Sequence, residues 1–222
     1  MKIAIGLPTT GITKTDTTVC LMKLHTAIVQ KYENCAIIPA TGPVEQARNL
    51  AADYFLKSDG THLLFVDWDA TFPENSAQVL VDADKPIIGC NAAKKKTGDP
   101  VVLNNIEGEL LNYIKHEMEE VGMIGMHVTM IKREVFEKMP WPWFIPIEVP
   151  GQRVLSGEDF AFCKKADQLH GFKVWVHNQL SMEIGHIAEE TKYLTSHIRQ
   201  QVEDHKKGAY LNELQKLKDG IG

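Results

Sequence analysis

His62-Leu63-Leu64-Phe65-Val66-Asp67-Trp68-Asp69-Ala70-Thr71 is the segment of the chain best suited to chemistry. An apolar run of strand composition delivers two carboxylates, one residue apart, to its carboxyl end, where open α/β sheets bind ligands. Paired oxygen ligands suit a hard divalent cation such as Mg or Mn, and such a cation can hold a diphosphate. A second acidic cluster, Ser156-Gly157-Glu158-Asp159, opens a helix, where the helix dipole favours negative charge. An acid beside a metal–diphosphate site is also what a hydroxyl acceptor needs in order to lose its proton. Gly185-His186, far along the chain, offers a third metal ligand. Each feature has a plainer reading: a solvated strand end, an ordinary helix cap, a solvated imidazole.

Alternating elements must position these groups. Ile3 to Leu7 reads as a buried strand stopped by Pro8-Thr9-Thr10-Gly11; Asp16 caps a helix with a stripe at Leu21, Leu24 and Ile28. Cys35 to Ile38 is the next strand, followed by a helix with Ala47, Leu50, Ala51 and Tyr54 inward. His62 to Val66 is a strand, Pro73 opens a helix reaching about Asp84, and Pro86 to Gly89 is a further strand. This alternation predicts an α/β fold, a Rossmann-like mixed sheet flanked by helices, doubly wound in its amino-terminal half. Residues 91–112, with Lys94-Lys95-Lys96, read as a long, solvated surface loop. Val128 to Ile131 is a strand leading into a helix at Arg133 to Met139; Asp159 to His170 is a helix closed by Gly171, and Lys173 to Val176 is a strand. From Ala188 onward the charge-rich sequence predicts one or two helices broken near Gly208. The expected organisation is one domain over 1–187, with a donor half of about 1–90 and an acceptor half of about 91–187, and a helical carboxyl-terminal extension over 188–222.

Composition narrows the class. The 222 residues are 44% hydrophobic and 24% charged, ordinary globular usage, and a net charge of -5 argues against broad attraction to nucleic-acid phosphate. Cys20, Cys35, Cys90 and Cys163 are widely spaced and form no close ligand pair, which fits a reducing compartment. The apolar stretch before Pro8 is shorter than a signal-peptide core, and no run reaches the length of a membrane span, so a cytoplasmic protein is expected.

The order of motifs resembles the nucleotide-sugar-dependent glycosyltransferases of the A-type fold, in particular short family-2-like forms of bacteria and bacteriophages. The resemblance covers roughly 3–187 and rests on Ile5-Gly6-Leu7-Pro8-Thr9-Thr10, Gln46-Ala47-Arg48-Asn49, Asp67-Trp68-Asp69, Gly125 leading to Ile131-Lys132-Arg133, Gly157-Glu158-Asp159 and Gly185-His186. It implies that Pro8, Thr9 and Thr10 bind the donor at the first strand end, with Arg48 reaching the base or phosphate. Asp67 contacts ribose or metal, Asp69 ligates the metal, and His186 completes its protein ligands. Asp159 is then the base of an inverting transfer, with Glu158 positioning it or the acceptor. The implied donor is a UDP-sugar before a GDP-sugar, and the implied cofactor is Mn or Mg.

Read by themselves, Arg48 beside Glu45 is a solvated charge, and Trp141, Trp143 and Phe144 are either an acceptor platform or a packed core edge. The acceptor bears a hydroxyl and is a glycan, a protein or a modified nucleobase; the carboxyl-terminal helices offer a surface for homo-oligomers. Two alternatives use the same residues. Asp67 and Asp69 also match the DxDxT signature of haloacid-dehalogenase-type phosphatases, although that motif normally follows a domain's first strand. A non-catalytic module that binds a nucleotide or glycan is the other.

Overall fold

The computed structural model describes residues 1–147, 156–188, 191–192, 201, 203–205 and 207–208. The strands are β1 (Lys2–Thr9), β2 (Asn34–Thr41), β3 (His62–Val66), β4 (Ala70–Thr71), β5 (Ile87–Gly89), β6 (Met118–Val121), β7 (Val128–Lys132), β8 (Val174–His177), β9 (Gly185–Ile187) and β10 (Thr191–Lys192). The helices are α1 (Thr15–Lys31), α2 (Val44–Lys57), α3 (Ser76–Asp82), α4 (Arg133–Lys138), α5 (Glu158–His170) and α6 (Asn178–Ser181).

Seven strands form one mixed sheet in the order β2-β1-β3-β7-β5-β8-β6. β1 pairs in parallel with β2 and β3, as the two crossover helices require. β7 enters antiparallel between β3 and β5, so the sheet is not doubly wound throughout its centre. A small sheet, β10-β9-β4, sits beside it.

Strand alternation divides the core into two layers. Ile3, Ile5, Leu7, Leu64 and Val66 face the cluster containing Leu21, Leu24 and Ile28 of α1 and Ala77 and Leu80 of α3. Ala4, Leu63 and Phe65 face the other cluster, which holds Ala47, Ala51, Ala52 and Phe55 of α2 and Phe136, Phe144 and Phe162.

Several local expectations are corrected. α1 begins at Thr15 with Lys14 at its cap, so Asp16 lies in the first turn and complements the helix dipole instead of capping it. The inner face of α2 is Ala47, Arg48, Ala51, Ala52 and Phe55, while Leu50 and Tyr54 are exposed. A charged residue inside the buried stripe rotated the apparent apolar face by one position. Residues 91–112 are not merely a surface loop, since Asn91, Ala92, Ala93, Val102 and Leu111 are buried. The Asn91 side chain accepts from Val102 N at 3.0 Å and donates to Val102 O at 2.6 Å and to the Tyr113 hydroxyl at 2.7 Å, closing that segment on itself. Strand β6 had no clear apolar signal, because it is an edge strand carrying Glu119 and Glu120. The expected extension over 188–222 lies largely outside the described residues; Thr191–Lys192 within it is a strand, not helix. No helix among the described residues is long and apolar enough to cross a membrane.

The β5–β7 contact allows no side chain at Gly89, where a Cβ would overlap the Thr129 hydroxyl and come within 3.0 Å of Thr129 Cβ. Gly89→Ala is expected to cost about 1–3 kcal/mol by overpacking, read as a lower urea midpoint; an unchanged midpoint would show that the two strands separate freely.

Candidate active site

The carboxyl ends of β1 and β3 open onto a cleft of about 240 Å³ lined by Pro8, Thr9, Thr10, Gly42, Val44, Arg48, Asp67, Trp68, Asp69, Lys95 and His186. At the end of β1, Thr9 Oγ1 donates to Ile12 O at 2.9 Å and accepts from Gly11 N at 3.2 Å, which folds Thr10 and Gly11 into a tight turn. Gly11 has φ +96°, a conformation glycine adopts without steric cost. At the end of β3, Asp67 N donates to His127 O at 2.9 Å and Ala70 N to Asp67 O at 3.1 Å, pinning the acidic turn from both sides.

Two strand pairings bring distant histidines to that turn. β7 runs antiparallel to β3 with Val66 opposite Val128, so His127, one residue before β7, stands beside Asp67. β9 pairs with β4 with His186 opposite Ala70, and Ile187 N donates to Asp69 O at 2.8 Å. The His127 and His186 ring centroids are 4.4 Å apart. Asp69, His127 and His186 each offer a ligand atom, all within 4.8 Å of one another. His186 Nδ1 lies 2.8 Å from Ala93 O, an acceptor only, so Nδ1 carries a proton, and Nε2 faces Asp69 Oδ2, 3.7 Å away. That outer hydrogen bond is the usual way a ligating imidazole is oriented. One carboxylate with two imidazoles fits a first-row divalent cation.

Of the expected metal set of Asp67, Asp69 and His186, Asp69 and His186 belong to this trio and Asp67 stands beside it. Asp67 Oδ1 accepts from Arg48 Nη2 at 2.9 Å and Oδ2 lies 3.4 Å from His127 Nδ1. The third member of the trio is His127. Its position beside Gly125 and directly before an apolar strand was the available signal, but only the pairing with β3 shows its relation to Asp67. A phosphatase would need Asp67 as a nucleophile, and here its two oxygens face Arg48 and His127.

Arg48 is not a solvated charge. It is 4% exposed on α2, and its two terminal nitrogens bond Asp67 and Glu158. Burial opposes the Asp67 charge, but Arg48 and His127 outweigh it and hold that carboxyl well below the usual range. For Asp69, burial is likewise overcome by His186 and Lys95. Glu158 and Asp159, at the start of α5, go the other way: burial pushes both up despite the Arg48 charge. Asp159 Oδ1 accepts from Phe160 N at 2.8 Å and would lie 2.9 Å from a Cβ at Gly157, so glycine there makes room for the folded-back carboxylate.

Outside the cleft, the aromatic segment divides. Trp141 is 68% exposed, whereas Trp143 is 6% exposed and its Nε1 donates to Phe136 O and Met139 O, both at 3.0 Å. Trp143 is packed in the core and leaves little of its ring to solvent. Lys95, read as part of a solvated run, instead pairs with Asp69. The cleft is thus not confined to residues 1–90, since Lys95 and His186 come from beyond them.

The mixed sheet, flanked by helices and with one antiparallel strand inserted beside an acidic turn, matches the A-type glycosyltransferase fold. The chain is similar in structure to A197 from STIV, with a TM-score of 0.59 and 20% identity over 88% of this chain and 91% of that one. It is also similar to GalNAc-T7, solved with UDP, GalNAc and Mn2+, with a TM-score of 0.56 and 13% identity over 85% of this chain and 43% of that one. At these identities the likeness is one of fold. No protein-family model matches the chain, and no curated protein does.

Replacing Arg48 with Met should leave Asp67 and Glu158 buried without their cation, at a cost of about 3–5 kcal/mol in urea unfolding. The Asp67 contribution has a defined pH sense. Its folded pKa is depressed, so the stability it adds is complete above the unfolded carboxylate value and is lost as pH falls toward the folded one. Wild type should therefore lose stability below about pH 4, and Arg48→Met should show a shallower acid loss; parallel pH profiles would disprove the linkage.

Proposed function

We propose that this chain is a metal-dependent glycosyltransferase that moves a sugar from a nucleoside-diphosphate sugar to an acceptor hydroxyl. The observation that carries the reading is the shared cleft, in which Pro8, Thr9, Thr10, Arg48, Asp67, Asp69 and His186 line one volume. Its support from outside the chain is GalNAc-T7, a protein of the same fold solved with UDP, GalNAc and Mn2+.

Asp69, His127 and His186 would hold the cation, with Mn favoured over Mg because two of the three donors are imidazoles. When bound, a divalent cation there supplies Lewis-acid stabilisation of the charge that develops on the departing nucleoside diphosphate. Pro8, Thr9 and Thr10 form the wall for the nucleoside, with a UDP-sugar preferred to a GDP-sugar as donor. Asp67, fixed by Arg48, faces the ribose. Asp159 takes the acceptor's proton in an inverting displacement, and its burial, by raising its pKa, makes it a stronger base than a solvated carboxylate. Glu158, tied to Arg48, sets the helix start from which Asp159 projects. Trp141 offers the acceptor an exposed aromatic face, suited to a glycan or a modified nucleobase. The reading keeps residues 1–187 as one catalytic domain, with β10 paired onto its β9, and the residues beyond as a surface for oligomers. The unpaired thiols of Cys20, Cys35, Cys90 and Cys163 support a cytoplasmic setting.

Thermal unfolding with UDP or GDP, with and without MnCl2, tests donor and cofactor together. UDP with MnCl2 is expected to raise the midpoint by several degrees at about 100 Kd, and Asp69→Ala should abolish the rise. Asp159→Asn should keep the shift but lower sugar transfer by about 10²–10⁴-fold, the usual worth of a general base. Full transfer in that variant rules Asp159 out as base, and wild-type binding without turnover on any acceptor favours the binding-module reading.

A further inference from the structure

Lys95 rises from a short hairpin over the cleft. Ala93 bridges Pro100, Lys94 N donates to Asp99 O and Gly98 N to Lys94 O, both at 2.8 Å. The base of the hairpin is fixed to the metal-binding trio, because Ala93 O is the acceptor that orients His186. Two residues further on, the Lys95 ammonium bonds Asp69 Oδ2, the oxygen that His186 Nε2 also faces at 3.7 Å. It also lies 5.6 Å from the centroid of the Trp68 ring. A divalent cation held by Asp69, His127 and His186 and the Lys95 ammonium contend for the same carboxylate oxygen, and like charges cannot share it at contact distance.

The cleft has a use for the displaced ammonium. Among the described residues lining it, the permanent cations are Arg48 and Lys95. Arg48 is buried and occupied by Asp67 and Glu158. Lys14 also lies near the Trp68 ring, at 5.7 Å, but does not line the cleft. Lys95, with its side chain 42% exposed on a flexible four-carbon stem, is the one of these three free to swing within the cleft.

We propose that Lys95 is a two-position cation: it neutralises Asp69 until a divalent cation takes that carboxylate, and then turns to the diphosphate of the donor. This deepens the glycosyltransferase reading and rests on it. The consequence is a pair of effects of opposite sign. Lys95 competes with metal for Asp69, yet strengthens the binding of the anion the metal brings, so a diphosphate and its metal bind as a unit more readily than the metal alone.

The test is isothermal titration of the full chain, first with MnCl2 alone and then with inorganic pyrophosphate at saturating MnCl2. Pyrophosphate carries the charge without a base or sugar. Lys95→Ala is expected to bind Mn2+ about threefold tighter, the worth of one partly exposed ion pair. The same variant should bind pyrophosphate on the order of tenfold more weakly, the loss of one charge-assisted bond. Lys95→Arg should recover pyrophosphate affinity. Lys94→Ala and Lys96→Ala, at exposed neighbouring positions, should change neither ligand. Unchanged affinities, two shifts of the same sign, or equal losses in the neighbouring variants overturn the proposal. Wild type that binds neither Mn2+ nor pyrophosphate overturns the metal-dependent reading itself, which separates that failure from the failure of Lys95 alone.

Discussion

A guanidinium stays charged even inside an apolar layer, so its burial is tolerated only where carboxylates meet it, and Arg48 is met by Asp67 at the end of β3 and Glu158 at the start of α5. Three element ends that are far apart in sequence are thereby fixed to one another. The two carboxylates are not equivalent in this arrangement. Asp67 has a second partner in His127 and is held well below the usual carboxylate range, while Glu158, with Arg48 and a backbone hydrogen bond in its favour, is still pushed up by its burial. Arg48 Nε has no partner among the described residues, so the fold tolerates a buried donor to keep the two terminal nitrogens where they are. A neutral or apolar residue of the same volume would pack more cheaply. The place of Arg48 near the start of α2, bonded to both carboxylates, points to the geometry of the acidic groups as what it secures.

The antiparallel insertion of β7 has the same logic at the level of topology. In a purely parallel sheet every strand would deliver its carboxyl end to the cleft. β7 delivers its amino end, and with it His127, whose carbonyl accepts from Asp67 and whose ring faces Asp67 and His186. The small sheet does the corresponding work for His186 through its register with Ala70. Both imidazoles are therefore placed by backbone ladders, which leave less freedom than loops, and the ring orientation is then set by carbonyl acceptors at Ala93 and Gly185.

The strands and helices that carry Pro8, Asp67, Asp69 and Asp159 were legible because each follows an apolar run of clear period or a helix-start signal, whereas strand β9, which carries His186, is only three residues long and gave no such signal. What escaped were features decided by partners distant in the chain. Nothing local marks Arg48 as buried; its counter-ions are 19 and 110 residues away. His127 gains its role only through the β3–β7 register. Trp143 looks like an acceptor platform until its indole nitrogen is seen bonded to two core carbonyls. Other motif residues turned out to be structural: Asn49 accepts from Trp143 N and Phe144 N, and Arg133 bonds the carbonyls of Leu56, Ser58 and Gly60 that end α2. A motif read along one strand of sequence does not distinguish a residue that faces the cleft from one that holds the cleft together.

The segment after β5 illustrates how a polar composition can hide a built element. Its base is buried and closed by the Asn91 side chain, and Asn91 N donates to Ser181 Oγ at 2.8 Å, which ties the segment to α6 as well. Its tip, Lys94 to Thr97, stays exposed. Anchoring of this kind confines motion to the tip and to long side chains, since opening the base would strand the buried Asn91 amide without partners. A lysine at the tip can then exchange one anionic partner for another without disturbing the carbonyl that orients His186. Rigidity at Ala93 and freedom at Lys95, two residues apart, follow from which backbone groups the core satisfies.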